Sequence, residues 1–242
     1  MTGTVLNMAG ICLGGIAGLT LARSLSERTQ RNAKIVLGAL VVYTGLRMTW
    51  DAVGGTLIQV IKQLGIALLS LSLGNLTGTL LRFQRTVNRL GKLANERLRR
   101  AQSGESKTWK DGVKTTALLY CLGPLGVVGS IQQGLNGEWQ TLGLKGAMDG
   151  LAGVGFVALF GWPMLLSTVA VLILQGTLTL ATQYWVAPHL LDRNLIDAVQ
   201  ATSGLMVASV SLVILDLRKI PLVNLLPSLI YAPLFTRWWG AA

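Results

Sequence analysis

RFQRTVNRLGKLANERLRRAQSGESKTWKDGVK, residues Arg82–Lys114, is the one strongly basic stretch in a chain that is otherwise almost continuously apolar. It carries ten of the twenty-one Lys and Arg residues, set against Glu96, Glu105 and Asp111. On both sides of it, uncharged blocks of roughly 15–20 residues follow one another between short polar breaks, about the length an apolar helix needs to cross a bilayer. A helix rises about 1.5 Å per residue, so about 20 residues cover the roughly 30 Å of hydrocarbon. The basic stretch cannot cross, and therefore marks one side. The chain reads as all-α: a polytopic transmembrane helical bundle in a single membrane domain over residues 1–242. Residues 82–111 form a basic connector between the third and fourth spans.

Composition agrees. Hydrophobic residues make up 51% of the chain and charged residues 13%, about half the usual charged share and too little to coat a water-facing surface. The net charge of +11 suggests nucleic acid until it is located. It sits in Arg82–Lys114 and in Arg23, Arg28, Arg31 and Lys34, both beside candidate spans. The partners expected are therefore the lipid bilayer, and anionic lipid at its cytoplasmic face, rather than nucleic acid. Cys12 and Cys121 fall inside spans and read as packing residues. Met1–Gly3 lacks a basic start, so the first apolar run reads as a retained helix.

Eight helices are expected: Gly3–Ala22, Ala33–Trp50, Leu64–Leu81, Val113–Gly134, Gly143–Phe160, Met164–Gln183, Asp197–Leu215 and Leu222–Trp238. All seven tryptophans fall at their ends or in short connections, where an indole ring meets the headgroups. The positive-inside bias puts both termini outside. Phe83, Val87, Leu90, Ala94, Leu98 and Ala101 recur at helical spacing, with basic residues between them. They predict an amphipathic helix that continues from the third span and rests on the inner leaflet, Arg85, Arg89, Arg99 and Arg100 facing lipid headgroups. Gly104–Lys107 reads as a flexible exit.

Ionisable residues inside spans are costly and therefore candidates for function. Asp149 is the clearest, with Lys145 one turn earlier on the same face; a tether near the outer interface is the competing reading of this pair. In the fourth span Pro124 removes a backbone donor, and Gly123, Gly126 and Gly129 loosen the helix, so a broken helix is expected there. The fifth span is short if Asp149 bounds it. Interrupted or short neighbouring spans point to a midplane transport site. Intramembrane amides, Asn7, Asn75, Gln132, Gln133, Gln175 and Asn224, either bridge helices or line a shared path. GNLTGTLL (residues 74–81) echoes VNLLPSLI (residues 223–230), which suggests an inverted repeat of helices 1–3 on helices 6–8. Gly10, Gly14 and Gly18 line one face, either for packing within the chain or as the seam of a homodimer. No catalytic residue, metal site or cofactor is expected: His189 stands alone, and no Walker loop, GxSxG elbow or CxxC pair occurs.

GTVLNMAGICLGGIAGL (residues 3–19), GPLGVVGSIQQGL (residues 123–135), LKGAMDGLAG (residues 144–153), LQGTLTL (residues 174–180) and VNLLPSLIYAPL (residues 223–234) follow in this order. Together they resemble the YqgA/YdfK-like bacterial membrane proteins (domain of unknown function, number 554) over nearly the whole chain. The resemblance implies a multi-pass protein of the bacterial inner membrane and carries no reaction with it. The positions matching its motifs are Asn7, Gly123, Pro124, Gln133, Asp149, Gln175 and Asn224. Gln133 departs from a pattern that often has an acid there.

The function expected is a secondary transporter or channel for a small solute or ion, not an enzyme. Asp149 would titrate or bind a cation, and the amides would line the path. The alternative is a non-transporting interaction or regulatory protein that works through its basic connector.

Overall fold

The protein is described by a computed structural model over residues 1–21, 26–103, 108–190 and 192–239. Arg23 and the Gly104–Lys107 exit lie outside these residues. Among the described residues every element is helical. In chain order they are α1 (Thr2–Leu21), α2 (Glu27–Asp51), α3 (Leu57–Leu80), α4 (Phe83–Gln102), α5 (Trp109–Cys121), α6 (Pro124–Asn136), α7 (Gln140–Phe160), α8 (Ser167–Ala181), α9 (Arg193–Ile214) and α10 (Ser228–Trp239). Short 3₁₀ turns lead into α8 and α10, and a π turn at Thr182–Val186 extends α8.

Among the described residues, five helical stretches are long and apolar enough to cross a membrane: Thr2–Thr20, Leu57–Leu80, Gln140–Phe160, Trp162–His189 and Arg193–Ile214. The pair α5 and α6, bent by 61° at its break, makes a sixth if counted as one span. The remaining two of the eight expected, α2 with its charged ends and the short α10, fall outside that set. Large apolar side chains cover the outside of the bundle. On α3 alone Leu57, Ile58, Ile61, Leu68, Leu76 and Leu80 are exposed, a surface that only lipid would cover. All seven tryptophans are exposed, and those on helices lie near helix ends, as an interfacial belt requires.

Small residues decide which helices touch. α1 lies along α7 in the same direction: Gly3 faces Leu142, Gly10 faces Gly146, Gly14 faces Gly150 and Gly18 faces Val154. A Cβ on Gly14 would overlap the Gly150 carbonyl, so only glycine permits this backbone approach. The stripe read as a possible homodimer seam is therefore occupied by α7. α2 runs antiparallel to α9, with Gly45 against Gly204 and Ala208. α3 runs antiparallel to α10, with Gly74 against Ser228 and Gly78 against the Asn224 backbone that precedes it. Among the described residues, side-chain packing fills three apolar clusters, the smallest around Ala52, Ala67 and Ala201. Of the two larger, one joins Val41, Leu125, Val128, Met206, Val207 and Leu229 of α2, α6, α9 and α10; the other joins Ile11, Tyr120, Val157 and Val171 of α1, α5, α7 and α8.

Three expectations change here. α4 does not continue α3, because the chain turns at Arg82, whose φ of 58° is left-handed. Nor does its apolar face lie wholly on lipid: Ala94 and Ala101 are buried against the bundle, while Arg85, Arg89, Arg99 and Arg100 are exposed on the other side. α7 is not shortened at Asp149; it runs unbroken through it, because the Lys145 partner lets the carboxylate sit inside the helix's length.

Candidate functional site

The fourth span breaks where the sequence requires it. α5 ends at Cys121, and Pro124 opens α6 at a position where its missing N–H is no loss. Gly123 caps α6 with an extended backbone and no side-chain hydrogen bond. The positive end of the α6 dipole thus lies inside the bundle rather than at its surface.

Two side chains meet this helix start. A Cβ placed on Gly126 would lie 3.1 Å from Lys145 Cε and 3.3 Å from Gln175 Nε2. Lys145 comes from α7 and is 3% exposed; Gln175 comes from α8 and is 1% exposed. The Lys145 ammonium donates to Asp149 Oδ2, one turn along α7. Asp149 is close to the middle of α7, so the reading of the pair as a tether at the outer interface gives way to an ion pair within the bundle, with Lys145 buried and Asp149 partly buried. Its other neighbours are Asn7 of α1, with Tyr120 and Cys121 at the end of α5.

The hydrogen-bond inventory separates the predicted amides. Asn7 is fully buried beside Asp149, yet neither of its amide atoms makes a hydrogen bond of regular geometry. Gln132 is buried with both amide atoms unpartnered, and Gln175 Oε1 is unpartnered too. A sealed, unsatisfied polar group costs about 1–3 kcal/mol, so these positions are not there for stability.

The other predicted amides do different work. Asn224 is buried but fully engaged: its Oδ1 accepts from Gln84 N at 2.9 Å and its Nδ2 donates to Thr79 Oγ1 at 3.1 Å. It fastens the start of α4 to α3 and lies away from the path predicted for it. Asn75 is exposed on the outer side of α3, because Gly74 and Gly78 turn the opposite face toward α10. It does not join the site. Gln133 caps α1: with its amide oxygen turned toward the helix start, it accepts from Thr2 N at 2.7 Å and Gly3 N at 2.6 Å. A carboxylate would accept the same bonds, which explains why an acid suits this position as well.

Thr115 and Thr179 complete the set and were missed from sequence. Both are buried with an unpartnered hydroxyl. Buried threonines in helices ordinarily donate to the carbonyl one turn back, as Thr116 does to Gly112. The four-residue spacing of Gln175 and Thr179 on one face of α8 was the available signal.

At the α4 end of the bundle, a cavity of about 540 Å³ lies between α2, α4, α7 and α9, among Leu37, Leu98, Met148, Gly155, Phe156 and Ile214. Lys34 and Asp216 stand at its rim, 3.7 Å apart. It reaches Met148, the residue before Asp149, without including Asp149.

Comparison with known proteins agrees with this architecture. The chain is 25% identical over 233 residues to the uncharacterized membrane protein YdfK of Bacillus subtilis, covering 96% of this chain and 94% of that one. It is 24% identical over 241 residues to the uncharacterized protein YqgA of Escherichia coli, covering 98% and 97%. No solved structure matches. The profile described as protein of unknown function (DUF554) matches residues 2–237, and the chain belongs to that family.

Proposed function

We propose that this protein is a secondary transporter or channel for a small solute or ion in the bacterial inner membrane, with both termini outside and α4 on the cytoplasmic side. One observation carries the reading. A broken span, a partly buried Lys145–Asp149 pair and the unpartnered polar groups of Asn7, Thr115, Gln132, Gln175 and Thr179 share the helices α1, α5, α6, α7 and α8. Apolar side chains at these positions would make a more stable bundle. A cargo that supplies the missing hydrogen bonds accounts for their presence. The antiparallel pairing of α2 with α9 and of α3 with α10 sets helices of the proposed inverted repeat against their own counterparts, the arrangement of many transporters. The deciding experiment is ion-gradient-driven flux in proteoliposomes. Asp149→Asn is expected to fold and to abolish the flux; unchanged flux would remove Asp149 from the path.

The exposed arginines of α4 favour a second reading, a regulatory or interaction protein that binds anionic lipid. Changing Arg85, Arg89, Arg99 and Arg100 to Gln separates the two. Under the transport reading this variant keeps its flux while its sedimentation with phosphatidylglycerol vesicles becomes weaker and less salt-dependent. Under the second reading no solute crosses in either form.

A further inference from the structure

We propose, building on the transport reading, that the cargo carries a small carboxylate group which displaces Asp149 from Lys145, and that Asp149 takes up a proton as it is displaced. Proton and carboxylate then move together, and the site changes by no net charge.

The groups that converge on the break in the fourth span are mainly donors. Lys145 and Gln175 Nε2 flank the first turn of α6, which has no side-chain cap; Pro124 lacks an N–H and Gly126 N donates to Gly123 O, so the Leu125 N–H and the helix dipole are what that turn offers. An ammonium beside the positive end of a helix dipole attracts an anion and opposes a cation. Gly126 keeps the space between them free of side chain. The protein's own occupant shows which chemistry fits: Lys145 is bonded to a carboxylate, Asp149. An incoming carboxylate can take that bond and turn its second oxygen to the Gln175 amide and the start of α6. Gln175, buried with Oε1 unpartnered, is the independent sign that something else completes the site, and because that oxygen only accepts, the cargo carries a donor such as a hydroxyl or ammonium beside its carboxylate.

Displacement would leave Asp149 charged and alone within the bundle, which is costly. Taking a proton from solution onto the free carboxylate oxygen removes that cost, and no covalent bond of the cargo changes. The protonated carboxyl then needs an acceptor; the Asn7 amide lies beside it with its N–H toward the carboxylate, and turning that amide over would present the unpartnered Oδ1 instead. The choice of proton site is narrow. α6 and α8 bring no ionisable side chain, and α1 brings only Cys12, next to Tyr120. From α5, Tyr120 and Cys121 face the pair, and from α7 itself only Lys145 does.

The test uses the full-length protein in detergent, with acetate as the minimal carboxylate probe and chloride at equal ionic strength as the reference. Between about pH 6 and pH 8 acetate stays ionised. Acetate is expected to raise Tm and to produce the infrared C=O stretch of a protonated carboxyl, with affinity falling as pH rises because each binding event consumes a proton. In Asp149→Asn the infrared band and the pH dependence disappear, while acetate binds about tenfold more tightly at the alkaline end, a coupling of the usual size between linked ligands. The neutral double variant Lys145→Met with Asp149→Leu is expected to fold and to lose acetate binding, and it provides the test should Asp149→Asn fail to fold. Acetate binding retained in the double variant, or acetate binding in the wild type without the protonated band, overturns the proposal. Stabilisation by sodium or potassium instead of acetate, lost in Asp149→Asn, also overturns it but leaves transport standing with a cation as cargo. With acetate bound as expected, labelled lactate and labelled alanine in proteoliposomes then separate a simple acid from an amino acid as the source of the carboxylate. Acetate binding with no flux of any solute would count against the transport reading alone.

Discussion

Asn224 and Gln175 are both amides sunk inside the helical bundle, at 5% and 1% exposure, and they serve opposite ends. Around Asn224 every amide atom has a partner, and the bonds join the start of α4 to α3. Around Gln175 the carbonyl oxygen has none, and the neighbours are a buried ammonium and the open start of a half-helix. Burial alone therefore does not mark a functional amide; unmet hydrogen-bonding capacity does. The first region is a joint, and stability has been satisfied there. In the second, stability has been given up in favour of something the protein meets later.

The sharpest way to break this contrast is to remove one charge from the second region. Lys145→Met leaves Asp149 buried without its partner, and is expected to cost about 3–5 kcal/mol. Thermal melts of the purified protein would show it, and adding Asp149→Leu should restore most of the loss. Failure of the second change to rescue would mean that Lys145 contributes by packing rather than by charge. Asn224→Leu should be milder, about 1–2 kcal/mol for two interhelical bonds in a membrane protein. Flux per folded molecule should stay unchanged, which quantitative reconstitution would measure. Selective loss of flux in this variant would move the site toward the joint. Gln175→Leu should have the smallest effect on stability, within about 0.5 kcal/mol or slightly favourable, since an unsatisfied carbonyl is removed. Transport should nevertheless fall sharply. A clear drop in Tm with normal flux would show that Gln175 belongs with Asn224 after all.

Much of the architecture was legible in the sequence, for reasons particular residues make plain. The tryptophans mark the boundaries because indole prefers the headgroup region whatever the fold. Pro124 broke the fourth span because the absence of an N–H does not depend on neighbours. Asp149 was found because charge inside a span needs an explanation, and Lys145 was one turn away. The amides were another matter. In a soluble helix the polar face shows which way is out, whereas in a bilayer both the lipid-facing and the protein-facing sides are apolar. Asn75 and Asn224 occupy matching places in the echo between the third and eighth helices, and one points outward while the other is enclosed. Only the packing of Gly74 and Gly78 against α10 decides that. Thr115 was invisible, and Thr179 was marked only by its spacing from Gln175, because a threonine that bonds its own helix and one that does not are the same letter.

The parallel contact of α1 with α7 also constrains how the chain can be assembled. Adjacent spans joined by a short turn must run in opposite directions, so two parallel helices cannot form as a hairpin while the ribosome feeds them into the membrane. The glycine face of α1 is inserted early and has to remain against lipid until residues 140–160 emerge, with five helical segments, α2 to α6, made in between. A bond at the very start of the chain, the cap that Gln133 places on Thr2 and Gly3, is equally late. α1, made before every other described helix, is thus among the last to be locked, and a fusion placed ahead of it would act on the closing step of assembly rather than on its beginning.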